Sequence, residues 1–253
     1  MDSNLKHVLA NSDNWAIIPV RKGSKGIKDK CIQDIAGKSL LVRAIESAKK
    51  AKHVDRVFVS TDSTEYADIA RNHQAEVPFL RPPELAQDNS STIDVIDHFI
   101  TEMHSQNDQF PKNILLIQVT CPFLNADDID QSYALLDKNS DAVCSVCESE
   151  IYPEWLRREN DNGHLVNLNY KTENNHQARQ TFKTTYRVNG GLYWVKCDIF
   201  MDQNTFIPER TCPYIMSQER SIDIDTPLDL EFARFMAAKF MATKQCNQRS
   251  IEV

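Results

Sequence analysis

The chain has 253 residues, of which 41% are hydrophobic and 26% are charged. These values are ordinary for a folded globular protein and exclude a disordered or collagen-like chain. The 29 lysine and arginine residues against 36 aspartate and glutamate residues give a net charge of −7, which argues against broad binding to a nucleic-acid backbone.

The sequence carries no sign of a secretory or membrane-spanning segment. The first fifteen residues lack the apolar core of a signal peptide, and no stretch approaches the roughly 20 apolar residues of a membrane span. Seven cysteines with scattered spacing do not predict a disulfide framework. Cys144 and Cys147 match Cys-x-x-Cys, but they lie in a strand-like run, where positions three apart face opposite sides. We therefore expect buried reduced thiols, no membrane contact and a cytoplasmic location.

Apolar runs alternate with helical periodicities along most of the chain. The predicted strands are Trp15–Val20, Val54–Ser60, Ile114–Val119, Ala142–Val146 and Val188–Val195, and the predicted helices are Leu40–Ala51, Glu65–His73, Thr92–His104, Ala126–Lys138 and Leu228–Met241. Such alternation is typical of an α/β fold with a mostly parallel sheet. Ligands of these folds gather at the carboxyl ends of the strands.

The polar stretch 148–187 interrupts this alternation and is predicted to be an inserted arm or flap. The simplest organisation is one domain over residues 15–245 that includes this arm. Residues 1–14 are then an N-terminal extension and residues 246–253 a tail.

A cationic loop follows the first predicted strand. Between Arg21 and Lys30 the chain places five cations and two of its six glycines, Gly23 and Gly26. Glycines allow tight turns whose N–H groups face an anion, and the concentrated charge favours a polyphosphate. The spacing matches neither a P-loop nor a dinucleotide fingerprint. A phosphate site and a solvated basic turn remain equally compatible with the composition of the loop.

A second motif, Ser221-Ile-Asp-Ile-Asp-Thr-Pro227, alternates isoleucine with carboxylate. On an extended segment Asp223 and Asp225 face the same side, and two carboxylates on one side suit Mg²⁺. The alternative is a polar-faced segment leading into a helix capped by Thr226 with Pro227 at its first position. The cap explains Thr226 and Pro227 but leaves the two aligned acids without a role.

Six segments, in family order, resemble the acylneuraminate cytidylyltransferase family, the CMP-sialic acid and CMP-nonulosonic acid synthetases. They are AIIPVRKGSKGIKDK (16–30), DRVFVSTD (55–62), VPFLRPPELAQDNSST (77–92), LLIQVTCPF (115–123), YRVNGGLYW (186–194) and YIMSQERSIDIDTPLDLEFA (214–233). The resemblance implies a Rossmann-like nucleotidyltransferase fold, with a mostly parallel mixed sheet flanked by helices, and an inserted dimerisation arm. It also implies a homodimer and an Mg²⁺-dependent reaction of CTP with a 2-keto-3-deoxy sugar acid, giving the CMP-sugar and pyrophosphate.

The resemblance also implies roles for individual residues. The CTP-phosphate loop corresponds to Arg21, Ser24, Lys25 and Lys30, the cytidine region to Arg81, Asn89, Ser90 and Ser91, the sugar site to Gln118, Thr120, Arg179, Gln180, Tyr186 and Asn189, and the metal ligands to Asp223 and Asp225. Arg179 and Gln180 are expected to reach the sugar site from the dimer partner. The residues expected to carry catalysis are Arg21, Lys30, Asp223 and Asp225.

The chain departs from the family pattern at three places. Cys31 stands where the family has Asn, and Leu124 ends a tract in which Thr-Ser-Pro-Leu-Arg has become Thr-Cys-Pro-Phe-Leu. Leu124 is therefore expected to remove a cation from the sugar site. Gly191 replaces the alanine of Asn-Gly-Ala. These departures bear on the identity of the substrate more than on the chemistry.

Several alternatives remain open. CMP-Kdo synthetases perform the same chemistry on a shorter sugar acid, and a catalytically silent binding or scaffold protein could keep the fold. A metal-dependent glycosyltransferase could use an Asp-x-Asp motif but would not need the cationic loop. Four aromatic residues could shape the sugar pocket or pack at a dimer interface, namely Tyr152, Trp155, Phe182 and Tyr186. For Trp155 the interface is the favoured interpretation.

Overall fold

The computed structural model describes residues 13–107, 110–168 and 183–249, and these form an α/β fold. The strands are β1 (Asn14–Pro19), β2 (Asp34–Ile35), β3 (Lys38–Ser39), β4 (Arg56–Ser60), β5 (Asn113–Ile117), β6 (Ala142–Glu148), β7 (Arg157–Glu159), β8 (Leu165–Asn167), β9 (Tyr186–Lys196) and β10 (Thr211–Ile215). The α-helices are α1 (Leu40–Lys50), α2 (Thr64–Asn72), α3 (Thr92–Asn107), α4 (Ala126–Tyr133), α5 (Cys197–Gln203) and α6 (Pro227–Arg249).

Six strands form the central sheet in the order β10-β6-β9-β5-β1-β4. The pairs β1–β4, β1–β5 and β10–β6 are parallel, and β9 runs antiparallel to both β5 and β6. The prediction of a mostly parallel mixed sheet flanked by helices is therefore confirmed. β2 pairs with β3, and β7 with β8, in two separate two-stranded ribbons.

The core lies on both faces of the central sheet. In β1, Ala16 and Ile18 pack into one cluster of buried residues together with α1, α2, α4 and α6, whereas Trp15 and Ile17 pack into a second cluster with α3 and α5. Because β1 is covered on both sides, its sequence is continuously apolar rather than alternating.

Short polar side chains fix the starts of the helices that follow the strand-end loops. Ser39 and Ser63 each accept a hydrogen bond from a backbone N–H in the first turn, of α1 and α2 respectively. At α6, the Thr226 hydroxyl accepts from the backbone N–H of Asp229 at 3.3 Å, and the Asp229 carboxylate accepts from that of Thr226 at 2.7 Å. This reciprocal pair is a capping box, so the predicted cap at Thr226 is confirmed.

Several element boundaries differ from the sequence prediction. α4 ends at Tyr133 instead of Lys138, since the backbone N–H groups of Leu135 and Leu136 bond to carbonyls three residues back rather than four. Asp137 then turns the chain by accepting hydrogen bonds from the backbone N–H groups of Asn139 and Ser140. α6 continues to Arg249 instead of ending at Met241, and so runs through the predicted domain boundary. Neither α5 nor β10 was predicted. β10 contains Pro213, which an edge strand tolerates since one side of it needs no hydrogen-bonding partner.

The predicted arm, residues 148–187, is described in part. It contains the β7–β8 ribbon and the first residues of β9, while residues 169–182 lie outside the described part of the chain. Within the described residues, no helix combines the length and the hydrophobicity needed to cross a membrane.

Candidate active site

A cavity of about 580 Å³ opens at the carboxyl ends of β1 and β5. Ten predicted site residues line it, namely Arg21, Ser24, Lys25, Lys30, Arg81, Ser90, Gln118, Thr120, Asp223 and Asp225. The four other predicted residues with described positions, Asn89, Ser91, Tyr186 and Asn189, are not among its lining residues. Arg179 and Gln180 lie outside the described residues. The cationic loop and the acidic motif, about 200 positions apart in the chain, thus meet at one cavity.

The cationic loop, residues 21–30, is held at both ends by the segment that follows β4. The backbone N–H of Lys22 donates to Asp62 at 3.0 Å, and the buried Tyr66 donates its hydroxyl to Asp29 at 3.2 Å. Asp29 itself has a left-handed backbone, with φ of 49°. At Gly26 an added Cβ would lie 2.5 Å from the backbone oxygen of Asp225. Only glycine therefore lets this loop pack against the acidic motif.

Each cation of the loop that lines the cavity is paired with a carboxylate. Arg21 and Lys25 both contact Asp88, at 2.6 Å and 2.5 Å, whereas Lys30 contacts Asp225 at 2.9 Å. Hydrogen bonds from Lys25 and Arg21 lower the pKa of the Asp88 carboxyl. The cavity therefore presents cations already arranged to bind oxygen anions.

Arg81 forms a buried part of the cavity wall. Its guanidinium donates to the backbone oxygen of Val20 at 2.6 Å and lies 3.9 Å from Asp62. Burial lowers its pKa from the usual value. The Arg81 Nε is buried and meets no hydrogen-bond acceptor within the described part of the chain. An uncompensated buried N–H is costly, and no group among the described residues offsets this cost at Arg81.

The serines predicted to contact a nucleoside make hydrogen bonds within their own segment of the chain. Ser91 accepts a hydrogen bond from the backbone N–H of Ile93 near the start of α3, and Ser90 donates to the backbone oxygen of Glu84. Asn89 is exposed. The wall beside them is instead completed by residues that the sequence prediction missed, namely Leu85, Gln87, Asp88, Thr92 and Val95. They stand within or next to the segment that carried the resemblance, so proximity in sequence was the available signal.

At the other end of the cavity, β9 approaches the acidic motif. Gly190 has φ of 72°, and a Cβ on it would lie 3.0 Å from Gln118 Oε1 and 3.6 Å from Asp223 Oδ2. Thr120, which follows β5, donates a hydrogen bond to Asp223. Gln118, Thr120 and Asp223 thus form one polar corner that a side chain at position 190 would crowd.

Asn189 and Tyr186 lie outside that corner. Asn189 is fully buried, donates to Ser221 Oγ at 2.9 Å and accepts from Ser145 Oγ at 2.6 Å, so it supports the acidic motif from behind. Tyr186 is exposed at the start of β9. Arg187, which lies between these two residues in the sequence, donates to the backbone oxygen of Ser221 at 2.8 Å and interacts electrostatically with Asp223. Arg187 is a cation beside the polar corner that the sequence prediction did not include.

The two acids of the motif lie on the same side, as the alternation predicted. Ile222 and Ile224 are buried, while Asp223 and Asp225 line the cavity. Partial burial and, to a smaller degree, the nearby Asp225 raise the pKa of the Asp223 carboxyl, against an opposing hydrogen bond from Thr120. The described residues contain no group of three or more His, Cys, Asp or Glu side chains that could hold a metal. Two carboxylates beside the cationic loop nevertheless fit Mg²⁺, which usually takes one or two protein carboxylates and completes its ligands with water and phosphate oxygens.

Of the three departures from the family pattern, Cys31 is among the residues that line the cavity, whereas Leu124 and Gly191 are not. Cys31 is buried, its thiol lies 3.9 Å from the backbone oxygen of Arg21, and burial raises its pKa. Leu124 is buried in the core beside α1 and is not among the cavity's lining residues. Its apolar side chain packs inward and supplies no polar group to the cavity, and the expected loss of a cation from the sugar site stays a prediction.

The remaining predictions concern thiols and aromatic residues. Cys144 and Cys147 are both buried and unpaired, as predicted, and burial raises the pKa of Cys144 to about 12. Tyr152 packs edge-on against Trp155 with ring centroids 5.2 Å apart, and neither is among the residues lining the cavity. Phe182 lies outside the described residues.

Comparisons with known proteins identify the family and the fold. The family model described as Cytidylyltransferase matches residues 15–247. A CMP-N,N'-diacetyllegionaminic acid synthase from Legionella pneumophila is 31% identical over 215 residues, covering 85% of this chain and 91% of the relative. An N-acylneuraminate cytidylyltransferase from Streptococcus agalactiae is 30% identical over 213 residues, covering 83% of this chain but only 50% of that longer relative. A solved CMP:2-keto-3-deoxy-manno-octonic acid synthetase in complex with CTP has a similar fold, with a TM-score of 0.65, 16% identity and coverage of 90% of this chain and 99% of its own.

Proposed function

Because the chain belongs to the cytidylyltransferase family, we propose that it transfers the cytidylyl group of CTP to a sialic-acid-type nonulosonic acid and releases pyrophosphate. The observation that carries the proposal is the meeting, at one cavity, of the cationic loop with Asp223 and Asp225. A triphosphate needs cations on its non-bridging oxygens, and its transfer chemistry needs charge neutralisation more than it needs a covalent protein group.

The cations of the loop bind the triphosphate. Arg21 and Lys25 line the cavity and both contact Asp88, whereas Lys30 lines it and contacts Asp225. Cations held by two different carboxylates can contact different phosphates of one triphosphate and stabilise the charge on departing pyrophosphate. Ser24 also lines the cavity and supplies a hydroxyl donor.

Arg81 binds a polar atom of the nucleoside. It lines the cavity, and its guanidinium is held by the hydrogen bond to the backbone oxygen of Val20. An acceptor of the pyrimidine ring or the ribose would accept a hydrogen bond from this guanidinium. Leu85 and Val95 line the cavity nearby and offer apolar surface to a base.

The sugar acid occupies the polar corner formed by Gln118, Thr120 and Asp223. Its carboxylate needs a cation, and Arg187 is the guanidinium of the described chain that lies beside this corner. A planar guanidinium can bind a carboxylate through two hydrogen bonds. The predicted Arg179 and Gln180 would add to this end from the partner subunit.

Asp225, assisted by Asp223, would hold Mg²⁺. A bound Mg²⁺ would neutralise phosphate oxygens and polarise the α-phosphorus. The chain's own contribution is positional, since Lys30 and Gly26 fix Asp225 against the cationic loop. Holding the triphosphate and the sugar hydroxyl in line removes much of the entropic barrier to their reaction.

A homodimer built through the arm completes the proposal. Around β7–β8 and the start of β9, several large apolar side chains are exposed, including Ile151, Trp155, Leu165, Leu168 and Val188. Exposed apolar surface of this density is typical of a protein interface. The arm is also where the residues predicted to reach the neighbouring subunit stand in the sequence.

We also place the reaction in the cytoplasm. Six cysteines of the described residues are unpaired, and five of them are buried. Persistent free thiols are typical of a reducing compartment.

The test is a pyrophosphate-release assay with purified protein, CTP, Mg²⁺ and a panel of sugar acids. The panel holds N-acetylneuraminic, legionaminic, pseudaminic and 3-deoxy-manno-octulosonic acids. We expect release with one or more nine-carbon acids, loss on chelation of the metal, and loss in Asp225→Ala. Glu231→Gln, an exposed carboxylate on α6, is the matched control. Release with the eight-carbon acid alone would favour the Kdo-type alternative, and no release with any acid would overturn the proposal.

A further inference from the structure

Asp88 holds two cations of the loop at once. Its Oδ1 lies 2.6 Å from the Arg21 guanidinium, and its Oδ2 lies 2.5 Å from Lys25 Nζ. Arg21 also donates to the backbone oxygen of Ala86 at 3.2 Å. One carboxylate therefore uses both of its oxygens to bind the two cations that a triphosphate would need in this part of the cavity.

The turn that carries Asp88 is supported independently of these contacts. Ser90 Oγ accepts from the backbone N–H of Gln87 at 3.1 Å and donates to the backbone oxygen of Glu84 at 3.1 Å. The Asp88 side chain itself is 37% exposed and Lys25 is 81% exposed. The ion pairs can therefore be exchanged for ligand contacts without disturbing the turn or the core.

We propose that Asp88 is an internal counter-ion of the phosphate-binding cations, displaced by the triphosphate on binding and returning to Arg21 and Lys25 as pyrophosphate leaves. This inference rests on the proposed function, which places the triphosphate at these cations. Asp88 is then a positioning residue, since it acts on the ligand through Arg21 and Lys25 and touches no reacting atom.

The physical basis is competition for the same donors. A ligand binds with an apparent affinity reduced by the fraction of sites whose cations are free. The contacts that a highly charged triphosphate makes with both cations outweigh the lost contacts of one carboxylate, while those of a singly charged phosphate do not. A carboxylate that reoccupies the donors also shortens the residence of pyrophosphate, because it replaces the product's hydrogen bonds with its own.

Asp88 differs from the other acids near the loop because it competes with the ligand for loop cations. Lys30 is bound by Asp225, which the proposal assigns to the metal, so that pair need not break when the nucleotide enters. Lys22 is bound by Glu65 at 3.0 Å, and neither residue is among those that line the cavity. Glu65 is therefore a matched control, a carboxylate on a neighbouring loop cation that does not compete with the ligand.

The experiment compares Asp88→Asn, Asp88→Glu and Glu65→Gln in the full chain. Calorimetry measures the affinity for CTP and for inorganic pyrophosphate, each with Mg²⁺, and steady-state assays measure product inhibition by pyrophosphate. We expect Asp88→Asn to bind pyrophosphate at least about threefold more tightly and to be inhibited by it at correspondingly lower concentration. Asp88→Glu, which keeps the charge, should restore most of the wild-type behaviour, and Glu65→Gln should match wild type.

Weaker or unchanged pyrophosphate binding in Asp88→Asn would overturn the inference, since a residue that only orients the cations for the ligand has that effect. An equal gain in Glu65→Gln would also overturn it, because the effect would then be one of overall charge. If wild-type protein binds CTP and pyrophosphate, these failures leave the proposed function intact. If wild-type protein binds neither, the proposed function falls and the inference with it.

Discussion

Lys30 Nζ lies 2.9 Å from Asp225 Oδ1 and 2.9 Å from the backbone oxygen of Ile224, across a separation of 195 positions between Lys30 and Asp225. This contact joins the end of the cationic loop to the acidic motif. With the close approach of Gly26 to the Asp225 backbone, it packs the cationic loop directly against the acidic motif.

Replacing Lys30 by methionine is therefore expected to damage catalysis more than folding. The lysine is only 17% exposed while its partner Asp225 is 70% exposed, so Asp225 can rehydrate when the cation is lost. We expect kcat/KM for CTP to fall about 100-fold or more with little change in Tm. Lys22→Met, which removes a loop cation that is not among the cavity's lining residues, is the control. An equal loss in both variants would contradict a specific role for Lys30.

Asp223→Asn is expected to lower the activity and to raise the stability of the protein. Burial raises the pKa of the folded Asp223 carboxyl, so the folded chain binds its proton more tightly than the unfolded chain does. Stability is then lost as the pH rises from the unfolded pKa through the raised folded pKa. At neutral pH the neutral asparagine avoids this cost while still accepting the hydrogen bond from Thr120.

The measurement is thermal unfolding against pH for wild type and Asp223→Asn. We expect the variant to have the higher Tm at neutral pH, by on the order of 1 °C, and the difference to vanish below the unfolded pKa. Activity should fall about 100-fold. A variant with lower stability at neutral pH would show that the ionised carboxylate is a net stabilising group.

The sequence predicted those parts of the site that are local in the chain. The spacing of Gly23, Gly26 and the cations predicted the loop, and the alternation around Asp223 and Asp225 predicted their common side. Residues that join the site through tertiary contacts were missed. Asp88 acts across the cavity on Arg21, and Arg187 contacts the acidic motif through the Ser221 backbone oxygen. Neither contact has a signature within one segment.

The same limit applies to the fold. β10 escaped prediction because Pro213 is compatible with a strand only at an edge, and the strand order is a tertiary property. Leu124 stands after β5 where the family pattern has an arginine, and its side chain packs into the core. Sequence position fixes which loop a residue occupies, but the side-chain direction depends on the packing around it.

Two departures from the family pattern lie next to each other. A Cβ added at Gly191 would lie 3.1 Å from Ser145 Oγ, 3.3 Å from Asn189 Oδ1 and 3.3 Å from Cys121 Sγ. Sulfur is larger than the oxygen of the family's serine, so cysteine at 121 adds to the crowding that glycine at 191 avoids. Gly191→Ala should therefore destabilise the chain by about 1–3 kcal/mol.

A double-mutant cycle with Cys121→Ser measures this coupling. We expect Gly191→Ala to cost less in the Cys121→Ser background, with an interaction energy of at least about 0.5 kcal/mol. Denaturant unfolding of the four proteins gives the energies. Additive effects would show that the two departures are independent.

The proposed dimer can be tested with two leucines of nearly equal exposure. Leu165, in β8 of the arm, is 75% exposed, and Leu228, at the start of α6, is 73% exposed. A charge placed in an apolar interface is costly because it must be desolvated without a partner. We expect Leu165→Glu to convert the dimer to a monomer at micromolar concentration in sedimentation or light-scattering measurements, and Leu228→Glu to leave it dimeric. If the sugar site takes Arg179 and Gln180 from the partner, the Leu165→Glu monomer should also have a raised KM for the sugar acid while its affinity for CTP is kept. If Leu228→Glu dissociates the dimer and Leu165→Glu does not, the interface lies at α6 and not at the arm.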